Sequence, residues 1–158
     1  MKTAVIFYSL DGNCALVAQE IKSQLNADLI SLHTKDEKQR SGIAKFFWSC
    51  KIMFSRKPPL KPYTFDPAAY DLIIIGAPVW AFSPASPIKT FLSEAGITGK
   101  KIALFVCHAG SKKDALEKFK ALLAGNNITA EIDFLNPARG RSERVKKQIT
   151  DWVKLLQS

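Results

Sequence analysis

The run YDLIIIG at residues 70–76 constrains this chain more than any other feature. It is apolar, β-branched and continuous, with no polar residue on alternate positions. Such a strand has no face left for water, so both faces must be covered. Residues 3–8 (TAVIFY) and 101–107 (KIALFVC) have the same character. Three buried strands call for a parallel sheet with helices on both sides.

The intervening segments supply those helices. After Cys14, the residues Val17, Ala18, Ile21 and Leu25 recur at helical spacing. Ile88, Phe91, Leu92 and Ala95 form a second stripe, with Pro84 and Pro87 at the place where a helix begins. Leu116, Phe119 and Leu123 mark a third helix. Val145, Ile149, Trp152, Val153 and Leu156 mark the last. Residues 28–32 and 128–135 complete the strands. In the latter, Ala130, Ile132 and Phe134 alternate with Glu131 and Asp133, which predicts one partly exposed face. Strands alternate with helices, with no repeat and no linker, so residues 1–158 are expected to form one domain. The least regular region is 35–67. Within it, residues 42–57 are expected to form an amphipathic helix with Ile43, Phe46, Phe47, Cys50 and Phe54 on its apolar face. Trp48 and Ile52 fall off that face and are expected outside.

The 23 Lys and Arg exceed the 14 Asp and Glu, for a net charge of +9. A basic surface favours acidic proteins or anionic lipid. Nucleic acid is not an expected partner, because no RNP-like aromatic pattern and no zinc finger accompany the charge. No apolar run reaches the length of a membrane span. Peripheral membrane contact is left open. Cys14, Cys50 and Cys107 form no CxxC pair, and with two histidines they make no zinc pattern. A reducing compartment, the cytoplasm, is the expected location.

Ligands of open α/β sheets bind beyond the carboxyl ends of the strands, and three loops leave such ends here. Ser9, Leu10, Asp11, Gly12, Asn13 and Cys14 join the first strand to the first helix. A helix N-terminus offers unpaired N–H groups and the positive end of the dipole, which suits a phosphate. The plain alternative is a turn capped by Ser9 or Asp11. A thiol at this position is expected to ionise readily, making Cys14 reactive in the empty protein. The second loop, residues 76–84, holds Pro78, Val79, Trp80, Ala81, Phe82 and Ser83. A large aromatic at a strand end is a stacking surface for a flat ring; the alternative is that Trp80 and Phe82 only cover the core. The third runs from Cys107 to Ser111 through His108, Ala109 and Gly110, and its backbone polar groups can meet a ring edge. For His108 the plain reading is a solvated loop histidine.

Taken together, YSLDGN, YDLIIIGAPVWAFSPASPIKTFL and GKKIALFVCHAG resemble the flavodoxin family across nearly the whole chain. The resemblance implies a flavodoxin-like α/β fold of five parallel strands in the order 2-1-3-4-5, with helices on both faces. It implies FMN, held without a covalent bond. Ser9 to Cys14 would hold the phosphate, Pro78 to Ser83 would line the isoalloxazine with Trp80 stacked on it, and His108 to Gly110 would meet its polar edge. A single phosphate loop points to FMN rather than FAD. Cys14 stands where the family usually carries a hydroxyl residue. Ala81-Phe82 stands where relatives often show glycine, and flavodoxins are commonly acidic.

No residue reads as a general acid, base or nucleophile, so none is assigned as catalytic, and no metal is expected. The expected function is electron transfer between redox partner proteins, acidic ones such as a ferredoxin-like protein or a reductase. The alternative is an FMN-dependent NAD(P)H or quinone oxidoreductase. Arg139, Arg141 and Arg144 are candidates for part of the docking surface.

Overall fold

The computed structural model describes residues 1–37, 47, 50–53, 55–139 and 142–157. Five strands run parallel: β1 (Thr3–Tyr8), β2 (Asp28–Leu32), β3 (Leu72–Trp80), β5 (Lys101–His108) and β6 (Asn127–Leu135). A two-residue arm, β4 (Ser83–Pro84), pairs antiparallel with the end of β3. The spatial order is β2-β1-β3-β5-β6. Counting only the parallel strands, this is the expected 2-1-3-4-5. The helices are α1 (Asn13–Leu25), α2 (Ser86–Glu94), α3 (Ala115–Ala121) and α4 (Ser142–Gln157).

The period-2 alternation of the strands sorts their side chains into two cores. Val5, Phe7, Ile74, Ala103, Phe105 and Cys107 point to one face, where α1 brings Val17 and Ile21 and α4 brings Ile149 and Trp152. Ala4, Ile6, Tyr8, Ile73, Ile75, Leu104 and Val106 point to the other, under Ile88 and Phe91 of α2 and Phe119 of α3. Every residue of β1 is buried, as a strand between two helical layers requires. Gly76 belongs to the first face, opposite Phe105. A Cβ there would lie 1.9 Å from Phe105 Cζ, so only glycine lets the phenylalanine ring lie across β3.

Two boundaries differ from the sequence reading. β3 continues four residues past Gly76 to Trp80, because Ala77 and Pro78 keep pairing with Val106 and Cys107. Pro84 lies in the β4 arm; the first turn of α2 carries only Pro87, after Ala85 as N-cap.

Half of the expected helix over 42–57 lies outside the described residues, including Ile43, Phe46, Trp48 and Phe54. Residues 50–53 are helical. Here the expected orientation is reversed. Ile52 is buried at 3% exposure, whereas Phe47 is 68% exposed. The reason is the docking of this segment on α2: Ser86 Oγ donates to the Ile52 carbonyl at 2.8 Å, and Thr90 Oγ1 to the Pro58 carbonyl at 3.0 Å. Those two bonds turn Ile52 inward. Among the described residues, no helix is long and apolar enough to cross a membrane.

Candidate functional site

The chain runs from β1 outward to β2, then crosses back over β1 to β3. The switch point lies at the carboxyl ends of β1 and β3, and all the loops singled out above converge there.

At the end of β1, Gly12 takes φ +81° and serves as the N-cap of α1. That left-handed turn reverses the chain so that the first helical N–H groups face back across the strand end. Gly12 has no side chain to accept them. Ser9 takes that part: its Oγ accepts from the Ala15 N–H at 3.2 Å, while its own hydroxyl proton stays available to a ligand. Asn13 Oδ1 accepts from the Ala138 N–H at 3.0 Å, tying the loop to the chain after β6. Asp11 is exposed.

Cys14 is 1% exposed. Burial pushes its thiol well above the ordinary range, and hydrogen bonding with Cys107 adds to this. The expectation of a readily ionised thiol is therefore corrected. A helix dipole is worth about 0.3–1 kcal/mol near a surface, too little to offset the desolvation of a buried thiolate. Cys14 acts as a small apolar residue at the top of one core.

Trp80 is the last residue of β3 and is half-buried. Its ring meets Tyr8 edge-on, with centroids 5.6 Å apart and planes at 85°. Tyr8 lies wholly in the core, and burial, with Glu37 and Asp11 adding, pushes its phenol up. The chain then turns through Ala81 (φ 46°) and Phe82 (φ 56°) into β4. Two successive left-handed residues make the tight hairpin turn that usually takes Asn-Gly. Phe82 is 42% exposed. Lys113 Nζ sits 4.0 Å from the centre of its ring, and Lys118 Nζ donates to its carbonyl at 3.0 Å.

His108 ends β5. The structure corrects its reading as a solvated loop residue, because the side chain is 9% exposed. Its Nε2 is 3.0 Å from Asp133 Oδ2 on β6. The other Asp133 oxygen receives Lys112 Nζ. Burial pushes the Asp133 carboxyl up, but hydrogen bonds from Lys112 and His108 outweigh it and hold the group below the ordinary carboxylate range.

These elements enclose a cavity of about 160 Å³. Ser9, Leu10, Asp11, Asn13, Cys14, Pro78, Val79, Trp80, His108 and Ala109 line it. Gly12, Ala81, Phe82, Ser83 and Gly110 do not: Gly12 is the N-cap of α1, and Ala81, Phe82 and Ser83 form the hairpin between β3 and β4. Two further residues line it: Cys107, at the head of the third loop, and Asn136, which the sequence reading missed. Asn136 takes φ 42° after β6; its backbone N–H donates to the His108 carbonyl at 2.9 Å, and its own carbonyl accepts from the Arg139 N–H at 3.0 Å. Its side chain donates to the Ala109 carbonyl at 3.3 Å. The signal was present, since β6 is also a parallel strand whose carboxyl end opens on the same edge.

A family model described as Flavodoxin matches residues 2–156. The chain belongs to the flavodoxin family. Among solved structures, a flavoprotein from Lactobacillus acidophilus NCFM in complex with FMN is 25% identical, with a TM-score of 0.71, over 96% of this chain and 97% of that one. A Bacteroides eggerthii protein is 20% identical with a TM-score of 0.75, over 99% and 98%. The two-electron reduced flavodoxin of Megasphaera elsdenii is 17% identical with a TM-score of 0.60, over 97% and 99%. Comparison with curated proteins returns no match. The flavodoxin architecture thus extends over nearly the whole chain, and the cavity stands at the sheet edge where that architecture opens.

Proposed function

We propose that this flavodoxin-family protein binds FMN non-covalently at the switch point and carries electrons between protein partners. One observation carries the reading: the N-terminus of α1, the Trp80 ring and the polar His108 share one cavity. The donor set fits the group. A phosphate would meet the first N–H groups of α1 and the hydroxyl of Ser9 without any lysine or arginine. Trp80 would stack on the isoalloxazine, and the loops after β5 and β6 would meet its polar edge. Flavodoxins themselves are a standard example of ligand binding at such a switch point. The L. acidophilus relative solved with FMN supports the same assignment. The cavity of about 160 Å³ is smaller than the roughly 300–1,000 Å³ usual for a whole ligand. Part of the ring would lie at the surface, where a partner can exchange electrons with it.

When bound, FMN supplies one- and two-electron chemistry, while the protein supplies position and electrostatics. Around the site stand Lys112, Lys113, Lys118 and Arg139, and the acidic redox partner of this reading would dock there. Arg144 starts α4 on the same edge, and Arg141 lies outside the described residues. The three thiols suit a reducing compartment, so the reading places the protein in the cytoplasm.

A second reading has an observation of its own. Beyond Trp80 lies another cavity, of about 340 Å³, lined by Met53, Ser55, Arg56, Pro84, Ser86 and Lys89. Two cations beside a tryptophan would suit an anionic substrate of an FMN-dependent oxidoreductase. Steady-state oxidation of NADPH with a quinone separates the two. A carrier shows almost none until a reductase is added; rapid turnover by the protein alone contradicts the carrier reading.

A further inference from the structure

The cavity beyond Trp80 holds two cations that the chain leaves without a counter-charge. Arg56 and Lys89 line it, and its described lining contains no carboxylate. Every Asp and Glu side chain is among the described residues, and neither cation forms an ion pair with any of them. Lysines elsewhere do pair: Lys118 with Asp114, Lys120 with Glu131 and Lys147 with Asp151.

Lys89 stands where a positive charge is disfavoured. It is the fourth residue of α2, and a cation at the start of a helix opposes the positive end of the dipole. The first turn holds no acidic residue, and Ala85 offers no side-chain cap. Lys89 is also half-buried. Burial first, and Lys118 second, push its ammonium below the ordinary lysine range. Dipole, burial and a neighbouring cation all act against this charge, and no carboxylate of the chain offsets them. Local rules broken in this way mark functional positions. An anion in the cavity would answer all three, meeting Lys89, Arg56 and the positive end of α2. Much of the remaining lining is apolar. Trp80, Met53 and Pro84 supply an indole, a thioether and a proline ring, surfaces on which a flat ring packs. The volume of about 340 Å³ is at the low end of the roughly 300–1,000 Å³ usual for small-molecule sites, which suits a compact ligand.

We propose that this cavity binds a compact aromatic acid, its flat ring packed against Trp80 and Met53 and its carboxylate or phosphate held by Arg56 and Lys89. The proposal gives a ligand class to the cavity of the second reading and rests on that reading for the site alone; it needs neither bound FMN nor turnover. The Arg56 guanidinium can hold two acid oxygens at once, while the Lys89 ammonium acts as a point charge. Half-burial places Lys89 where the attraction is screened less than in open water. Trp80 lines both this cavity and the one at the switch point, so a bound acid adjoins the proposed FMN site without entering it.

The test is calorimetric titration of the full chain, with and without FMN, using naphthoate, naphthyl phosphate, the neutral naphthamide and inorganic phosphate. At least one aromatic acid should bind, and the tighter of the two identifies the head group. The amide should bind about tenfold more weakly, the scale of one hydrogen bond to a charged group, and inorganic phosphate more weakly than the aromatic acid. Arg56→Gln and Lys89→Gln should each weaken the acid about tenfold and leave the amide unchanged. Lys147→Gln, which removes the same charge from α4, should change nothing. On adding the acid, backbone NMR shifts should move at Met53, Ser55, Arg56, Trp80 and Ser86. The proposal is overturned if neither acid binds, if the amide or inorganic phosphate binds as tightly as the acid, or if Lys147→Gln costs as much as the two cavity variants. The comparison of acid with amide uses the wild type and depends on no variant folding. Acid binding by a protein that takes up no FMN contradicts the FMN reading alone. Acid binding without NADPH turnover contradicts the oxidoreductase reading and leaves this proposal standing. FMN uptake or turnover without acid binding overturns this proposal alone.

Discussion

Trp80 and Asp133 illustrate how far single residues could be read from the chain. Trp80 was legible, because a large aromatic at the end of an apolar strand has a use beyond covering the core. Its T-shaped contact with Tyr8 now explains what fixes the ring. Trp80→Ala should weaken FMN binding by about 1 kcal/mol, the scale of one aromatic pair beyond its buried area. It should also relieve quenching of flavin fluorescence, and a fluorescence titration measures both. Unchanged affinity and quenching would remove Trp80 from the site. Tyr8 could not take its place, being wholly buried. Asp133 was read only as the exposed side of an alternating strand. Its pairing with His108 joins residues 25 positions apart, which a periodicity argument cannot reach. The hydrogen bonds from Lys112 and His108 lower its pKa against the desolvation that raises it. A depressed carboxyl contributes stability that is full above its unfolded value, about 3.9, and is lost as pH falls through the folded one. The stability advantage of the wild type over Asp133→Asn in urea melts should therefore shrink in acid. An advantage that stays constant below that range would contradict the assigned charge.

At the scale of elements, the strands and helices were legible because each carries its own period, and the connections were less so. The sequence reading treats residues 76–84 as a loop. In fact β3 continues through half of it and folds back on β4. The turn between them was hidden by its residues: neither Ala81 nor Phe82 is a usual occupant of left-handed backbone. Each such residue costs roughly 1–2 kcal/mol, and at Phe82 the contacts from Lys113 and Lys118 offset part of this. Ala81 has only a methyl group with which to make such contacts, so relief should be clearest there. Ala81→Gly should stabilise the protein by about 0.5 kcal/mol, the strain released less the extra chain entropy of glycine. Urea denaturation of the apoprotein checks this, and a loss of stability would show that Ala81 is unstrained. The helical stretch at 50–53 teaches a different lesson. Its apolar residues run round more than one side, and the docking bonds to Ser86 and Thr90, not the pattern, turn Ile52 inward.

At the scale of the whole molecule, the topology was legible because fully apolar strands leave few arrangements open. The site followed from it, as the parallel order brings the carboxyl ends of β1, β3, β5 and β6 to one edge. The loop after β6, with Asn136, was missed because it carries neither a glycine-rich turn nor an aromatic. The net charge of +9 bears on partners rather than on fold. Under the carrier reading, the rate of reduction by an acidic ferredoxin should fall as salt rises, since charges at a surface are screened within about 8 Å at physiological ionic strength. A flat response in stopped-flow measurements would contradict electrostatic docking. The central claim is that the switch-point cavity holds FMN, and flavin uptake by the apoprotein tests it most directly. Titrated with FMN and with FAD, the protein should bind one FMN per chain, with quenched fluorescence, and release it unchanged on heating; failure to take up FMN, or stoichiometric binding of FAD in its place, would contradict the account.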